Sequence, residues 1–110
     1  MRKLYVGFTA RLIWPRSEFG GRKHEPFIGL RSIIRFQRYV AEWLLDAWTV
    51  EIIDLNIDPD AWSGFVRMRF ASNQFPHKEW VNPGELVELL EAHNVIAVGK
   101  IESIANMITR

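Results

Sequence analysis

His24, His77, His93 and Ser17 are the residues whose types could carry acid–base, metal-binding or nucleophilic chemistry, and their spacing does not favour it. The three histidines are isolated, with no short pair of the kind that holds a metal on a helix, so no metal is expected. Ser17 with His24 or His77 and an acid would supply the parts of a hydrolytic triad, but no nucleophile-elbow pattern surrounds it. Gly20-Gly21 lacks the following Lys-Ser/Thr of a phosphate loop and reads as a turn. Among 110 residues there is no cysteine, which excludes thiolate nucleophiles, disulfides and thiolate metal sites and fits a reducing compartment. No catalytic residue and no cofactor is assigned, and a role without catalysis is expected.

Residues suited to binding are plainer. Trp14, Arg16 and Phe19 gather aromatic and arginine side chains, the types that dominate interface hot spots, in a segment that is hard to bury completely. Arg22 and Lys23 follow in a charged run, then Arg31, Arg35 and Arg38. Residues 1–40 hold nine Lys/Arg against two acids and residues 41–110 hold five against eleven, giving formal charges of +7 and −6 that cancel to +1. Such a division suits an anionic partner for the first half, or two halves that neutralise each other across a shared surface. Trp14 equally suits the end of a strand packed inside.

The elements that would position these residues read as follows. Lys3-Leu4-Tyr5-Val6-Gly7-Phe8 alternates as a strand, with apolar content continuing through Trp14. Residues 15–26, with two prolines and Gly20-Gly21, form a surface loop. Between residues 30 and 48 the polar positions Arg31, Arg35, Arg38, Glu42 and Asp46 recur at spacings of four, three, four and four, which predicts a helix buried on its other sides. Residues 49–57 are rich in β-branched side chains and predict an interior strand. Asp58-Pro59 then offers an N-cap and first helical position, while Val66, Met68 and Phe70 offer one face of a strand, so residues 59–71 stay open between helix and strand. Pro76 precedes a short strand over residues 77–81. Asn82, Pro83 and Glu85 form a capping-box pattern that predicts a helix ending near Asn94, and the apolar tail to Ile108 is placed as an extension packed on the same domain.

On Lys3-Leu4-Tyr5-Val6, on Val50-Glu51-Ile52-Ile53-Asp54-Leu55 leading to Asp58-Pro59, on Phe75-Pro76 and on Glu85-Leu86, the chain resembles the glutaredoxins over about residues 3–93. The resemblance implies a single α/β thioredoxin-like domain over residues 1–94, with a mixed sheet, helices on both faces, a loop insertion at 15–26 and a C-terminal extension over 95–110. It also implies a cis bond before Pro76, and glutathione contacts at Phe75 and Pro76 if that binding persists. The redox motif of that family would fall on Trp14-Pro15-Arg16-Ser17, which has no sulfur.

The function expected from the sequence is a redox-inactive thioredoxin-like module that binds a protein partner through Trp14, Arg16, Phe19, Arg22, Lys23, Arg31, Arg35 and Arg38. Nucleic-acid binding by the basic first half is the alternative, and a glutathione-using enzyme without a catalytic cysteine the second alternative. With no run of about 18 apolar residues to span a membrane, a cytoplasmic location is expected.

Overall fold

A computed structural model of the chain describes residues 3–15, 25–37, 48–71, 81–92 and 94–109. Within them lie six strands: β1 (Lys3–Ile13), β2 (Arg31–Phe36), β3 (Trp48–Asp58), β4 (Ser63–Phe70), β5 (Leu86–Glu91) and β6 (Asn94–Thr109). Around the sheet they run β1-β4-β3-β2-β5-β6, and β6 returns to β1 to close a barrel. Every neighbouring pair is antiparallel.

This architecture overturns the α/β thioredoxin-like fold and with it the resemblance to glutaredoxins. None of the elements among the described residues is a helix, and the sheet is neither mixed nor open. A sheet closed on itself buries its inner face without helices and leaves no long edge to cover. Nearly all of the extension expected over residues 95–110 lies in β6, which closes the barrel between β5 and β1.

Side-chain alternation decides what fills the barrel. β1 buries Phe8, Ala10 and Leu12, β2 buries Ser32, Ile34 and Phe36, and β4 buries Val66, Met68 and Phe70, each with intervening residues turned outward. Phe8 and Phe70 meet with ring centroids 5.6 Å apart and planes tilted by 47°. Burial of each such large apolar side chain contributes about 1.5–3 kcal/mol. In β3 the pairing shifts by one residue between Ile52 and Asp54, so that Ile53 is extra. That bulge reverses the alternation: Val50 and Ile52 point inward before it, whereas Leu55 and Ile57 pack on the core after it.

The local misreadings have physical causes. Arg31 and Arg35 are four residues apart, which is one helical turn but also two pleats of a strand, and they lie on the outer face of β2. Of residues 30–48, only 30–37 and 48 are described, and no helix occurs in them. Asn82-Pro83-Gly84-Glu85 is a tight turn, not a capping box: the Glu85 amide donates to the Asn82 carbonyl at 3.1 Å and Gly84 has φ of 90°. Proline and then glycine at the two central positions is the signature of a type II turn, which needs that positive φ. Glu85 then pairs with Ile101 of β6, accepting from its amide at 2.9 Å, so β5 follows where a helix was expected.

Asp58 and Pro59 do start a helical turn. Asp58 Oδ1 accepts from the Asp60 amide at 2.8 Å and the Ala61 amide at 3.3 Å, and the Trp62 amide reaches the Asp58 carbonyl at 2.8 Å. The turn stops there because Trp62 adopts φ of 52°, which no further helical residue can follow, and β4 begins at Ser63. Of the two readings left open for residues 59–71, the strand with Val66, Met68 and Phe70 on one face is the one found. The Phe75–Pro76 bond and, apart from Val81, the strand expected over residues 77–81 lie outside the described residues.

Candidate partner-binding face

Of the residues singled out for partner binding, Arg16, Phe19, Arg22, Lys23 and Arg38 lie outside the described residues, as do Phe75 and Pro76. Trp14 is 2% exposed and belongs to the core, just beyond the end of β1, where its amide donates to the Trp62 carbonyl at 2.8 Å. Arg31 is exposed on β2 opposite Glu51 of β3. Arg35 is engaged with Glu88 of β5, its Nη2 donating to Glu88 Oε2 at 2.8 Å. The charge division is thus partly internal, because an arginine from the basic half meets an acid of the other half across the β2–β5 ladder. Glu51 is held from its other side, by Arg69 of β4, whose Nε and Nη2 both donate to Oε1, at 3.1 and 2.8 Å.

A different surface concentrates unsatisfied side chains. The barrel closes where β6, β1 and β4 lie side by side, and cross-strand register aligns Lys100 with Arg11 and Arg11 with Phe65. One pleat on, Val98 is aligned with Ile13. All five side chains face outward, with Ile13 55%, Phe65 45% and Val98 38% exposed. Leu86 of β5, opposite Lys100, continues the apolar surface around the shoulder of the barrel. Arg11 lies over the Phe65 ring, its guanidinium carbon 5.4 Å from the centroid.

Beside Phe65 the surface dips into an open depression of about 220 Å³, lined by Thr9, Asp54, Leu55, Asn56, Phe65 and Arg67. Arg67 is in register with Thr9 on one side and Asp54 on the other, yet no ion pair between Arg67 and Asp54 occurs. Asp54 Oδ1 accepts instead from the Leu55 amide at 2.9 Å. Among the described residues, no ion pair is made by Arg11, Arg67 or Lys100, which leaves three cations around an apolar centre. No group of three or more His, Asp or Glu that could hold a metal is present among the described residues.

Composition drew attention to the loop and to the arginines after Leu30, not to this face. The signal that locates it was present in the first strand: once Phe8 and Leu12 point inward, alternation must turn Arg11 and Ile13 outward. Its partners Phe65, Val98 and Lys100 depend on the register of β4 and β6, the first open between helix and strand in the sequence and the second read as an extension. No known family profile matches the sequence, and comparison with curated proteins gives no significant match.

Proposed function

We propose that this chain is a non-catalytic β-barrel module that binds a protein partner through the outer face of β6, β1 and β4. The observation that carries the reading is the pairing of exposed Ile13 with exposed Val98, beside the aligned cations Arg11 and Lys100 and the half-exposed Phe65 ring. Exposed apolar side chains scattered singly need no explanation, whereas a contiguous group rimmed by charge marks an interaction surface. Aliphatic Ile13, Val98 and Leu86 favour a protein over nucleic acid, since phosphates reward cations and single-stranded bases reward aromatic faces more than branched aliphatic side chains.

The glutathione alternative loses its basis with the thioredoxin fold. No helix of the described residues is long and apolar enough to cross a membrane. The described barrel carries apolar side chains inside and Arg11, Arg67 and Lys100 outside, the reverse of the polarity that a lipid-facing barrel needs. A cytoplasmic site of action is part of the same proposal, in keeping with a chain free of cysteine.

The test is site-specific photo-crosslinking in cells, with a benzophenone amino acid at Val98 and, as control, at Glu91 at the far end of the β5–β6 hairpin. A defined protein adduct is expected from Val98 alone, and it should vanish when Phe65→Asp is added. Equal adducts from both positions, or none from Val98, would overturn the proposal.

A further inference from the structure

The partner's contribution can be narrowed by the charge and size of the same face, an inference that rests on the protein-binding reading. We infer that the occupant is a short acidic segment of the partner, with aliphatic side chains bracketing two carboxylates that meet Arg11 and Lys100.

Charge supplies the first argument. Arg11 and Lys100 are aligned across the β1–β6 ladder, so their Cα atoms are neighbours, and Arg67 stands one pleat beyond Phe65 on β4. Glu88, opposite Val98 on the β5 flank of this face, is engaged by Arg35, and Glu51 on β3 is engaged by Arg69, so neither acid forms an ion pair with Arg11 or Lys100. Two adjacent cations with no described acidic partner suit two carboxylates spaced along one segment, and such charge-assisted contacts are the stronger kind of hydrogen bond.

Size and shape supply the second. Three strands at about 4.8 Å spacing and one pleat of about 7 Å define a footprint far below the roughly 800 Å² per partner of a standard interface. The surface is also convex, being the outside of a closed barrel of six strands. A second copy of this chain is a poor occupant, because a two-fold contact would set Arg11 and Lys100 against their own counterparts and press two convex faces together. A short segment can follow the ridge, set aliphatic side chains against Ile13 and Val98 on one side and against Phe65 on the other, and leave its acids over the cations between.

The experiment is an amide chemical-shift titration of the isotope-labelled full chain with three synthetic nine-residue peptides at low salt. The first has two leucines bracketing two glutamates, the second has glutamines in place of glutamates, and the third has lysines. The glutamate peptide is expected to shift amides of β1, β6 and the first half of β4, with at least fivefold tighter binding than the glutamine peptide and no binding of the lysine peptide. Arg11→Gln combined with Lys100→Gln should erase that fivefold difference while leaving the spectral dispersion unchanged. Equal binding of the first two peptides, shifts centred elsewhere, or an advantage that survives the double substitution would each overturn the inference. So would a twelve-nucleotide single strand that shifts the same amides at lower concentration than the glutamate peptide. A failed titration beside a specific Val98 crosslink would remove the acidic segment and leave the protein-binding reading standing; loss of both would remove both.

Discussion

Arg11 and Phe65 occupy paired positions on β1 and β4, and the guanidinium carbon of the first lies 5.4 Å from the ring centroid of the second. The stack lays the arginine along the barrel wall, so its long side chain covers part of an exposed ring instead of standing free in water. On the other side of β1, Lys100 of β6 is aligned with Arg11 and adds a second positive charge to a surface of aliphatic neighbours.

Because this pair is exposed, its contribution to stability should be modest. A cation–π contact at such a site is worth about 0.5–1 kcal/mol. A double-mutant cycle of Arg11→Gln and Phe65→Leu, measured by urea unfolding, should therefore give a coupling within that range, while each substitution weakens partner binding severalfold. A coupling well above it would mean that the pair serves the fold and not recognition.

Strand parity in β4 makes a sharper claim. Met68 faces the core and Arg67 faces solvent, although they are sequence neighbours. Met68→Ala should destabilise by about 2–5 kcal/mol through a lost core side chain and the cavity it leaves, whereas Arg67→Ala should stay within about 0.5 kcal/mol. Similar losses at both positions would be incompatible with the strand.

Those two neighbours also show what could be read from the sequence. A run such as Val66, Met68, Phe70 is unambiguous only when its period is decided, and Asp58-Pro59 upstream supplied a real capping turn that argued for the other period. One turn was all it made, because Trp62 takes a left-handed conformation that single-sequence propensity does not foresee. The strands at residues 3–13 and 48–58 were legible from β-branched and alternating content, while β2 was hidden by the four-residue spacing of Arg31 and Arg35, which suits both periods, and β5 by the capping-box pattern of Asn82, Pro83 and Glu85 ahead of it. The Pro83-Gly84 turn was a missed signal: it marks a reversal between strands more strongly than Asn82 and Glu85 mark a helix start. The proposed face could not be assembled without register, since Arg11, Phe65 and Lys100 come from three distant segments.

The ion pair that ties β3 to β4 should matter little more than its exposure allows. Arg69 donates twice to one oxygen of Glu51, with side chains 26% and 18% exposed. Two donors on a single oxygen fall short of a fork-to-fork pair, and partial solvation holds the contact to about 0.5–1 kcal/mol. Glu51→Gln and Arg69→Met in a double-mutant cycle should show a coupling of that size, reduced in half-molar salt. A coupling that ignores salt would indicate a drier environment than the barrel wall provides.

Closure of the barrel can be tested at one atom. Gly99 of β6 lies opposite Leu12 of β1, and a methyl group added there would overlap the carbonyl of Arg11 and crowd the Leu12 Cα. Both obstacles are backbone, so no side-chain rotation relieves them, and the β1–β6 ladder would have to part. Gly84, by contrast, has open space around it, and a substitution there would meet only the strain of its positive φ. Gly99→Ala should therefore destabilise by at least the roughly 1–3 kcal/mol typical of overpacking, and amide exchange should accelerate first in β1 and β6, whose pairing is the seam of the barrel. If Gly99→Ala instead unfolds within about 0.5 kcal/mol of the native chain, with β1 and β6 amides as protected as before, the closed β1–β6 register is wrong, and the alignment of Arg11 with Lys100 goes with it.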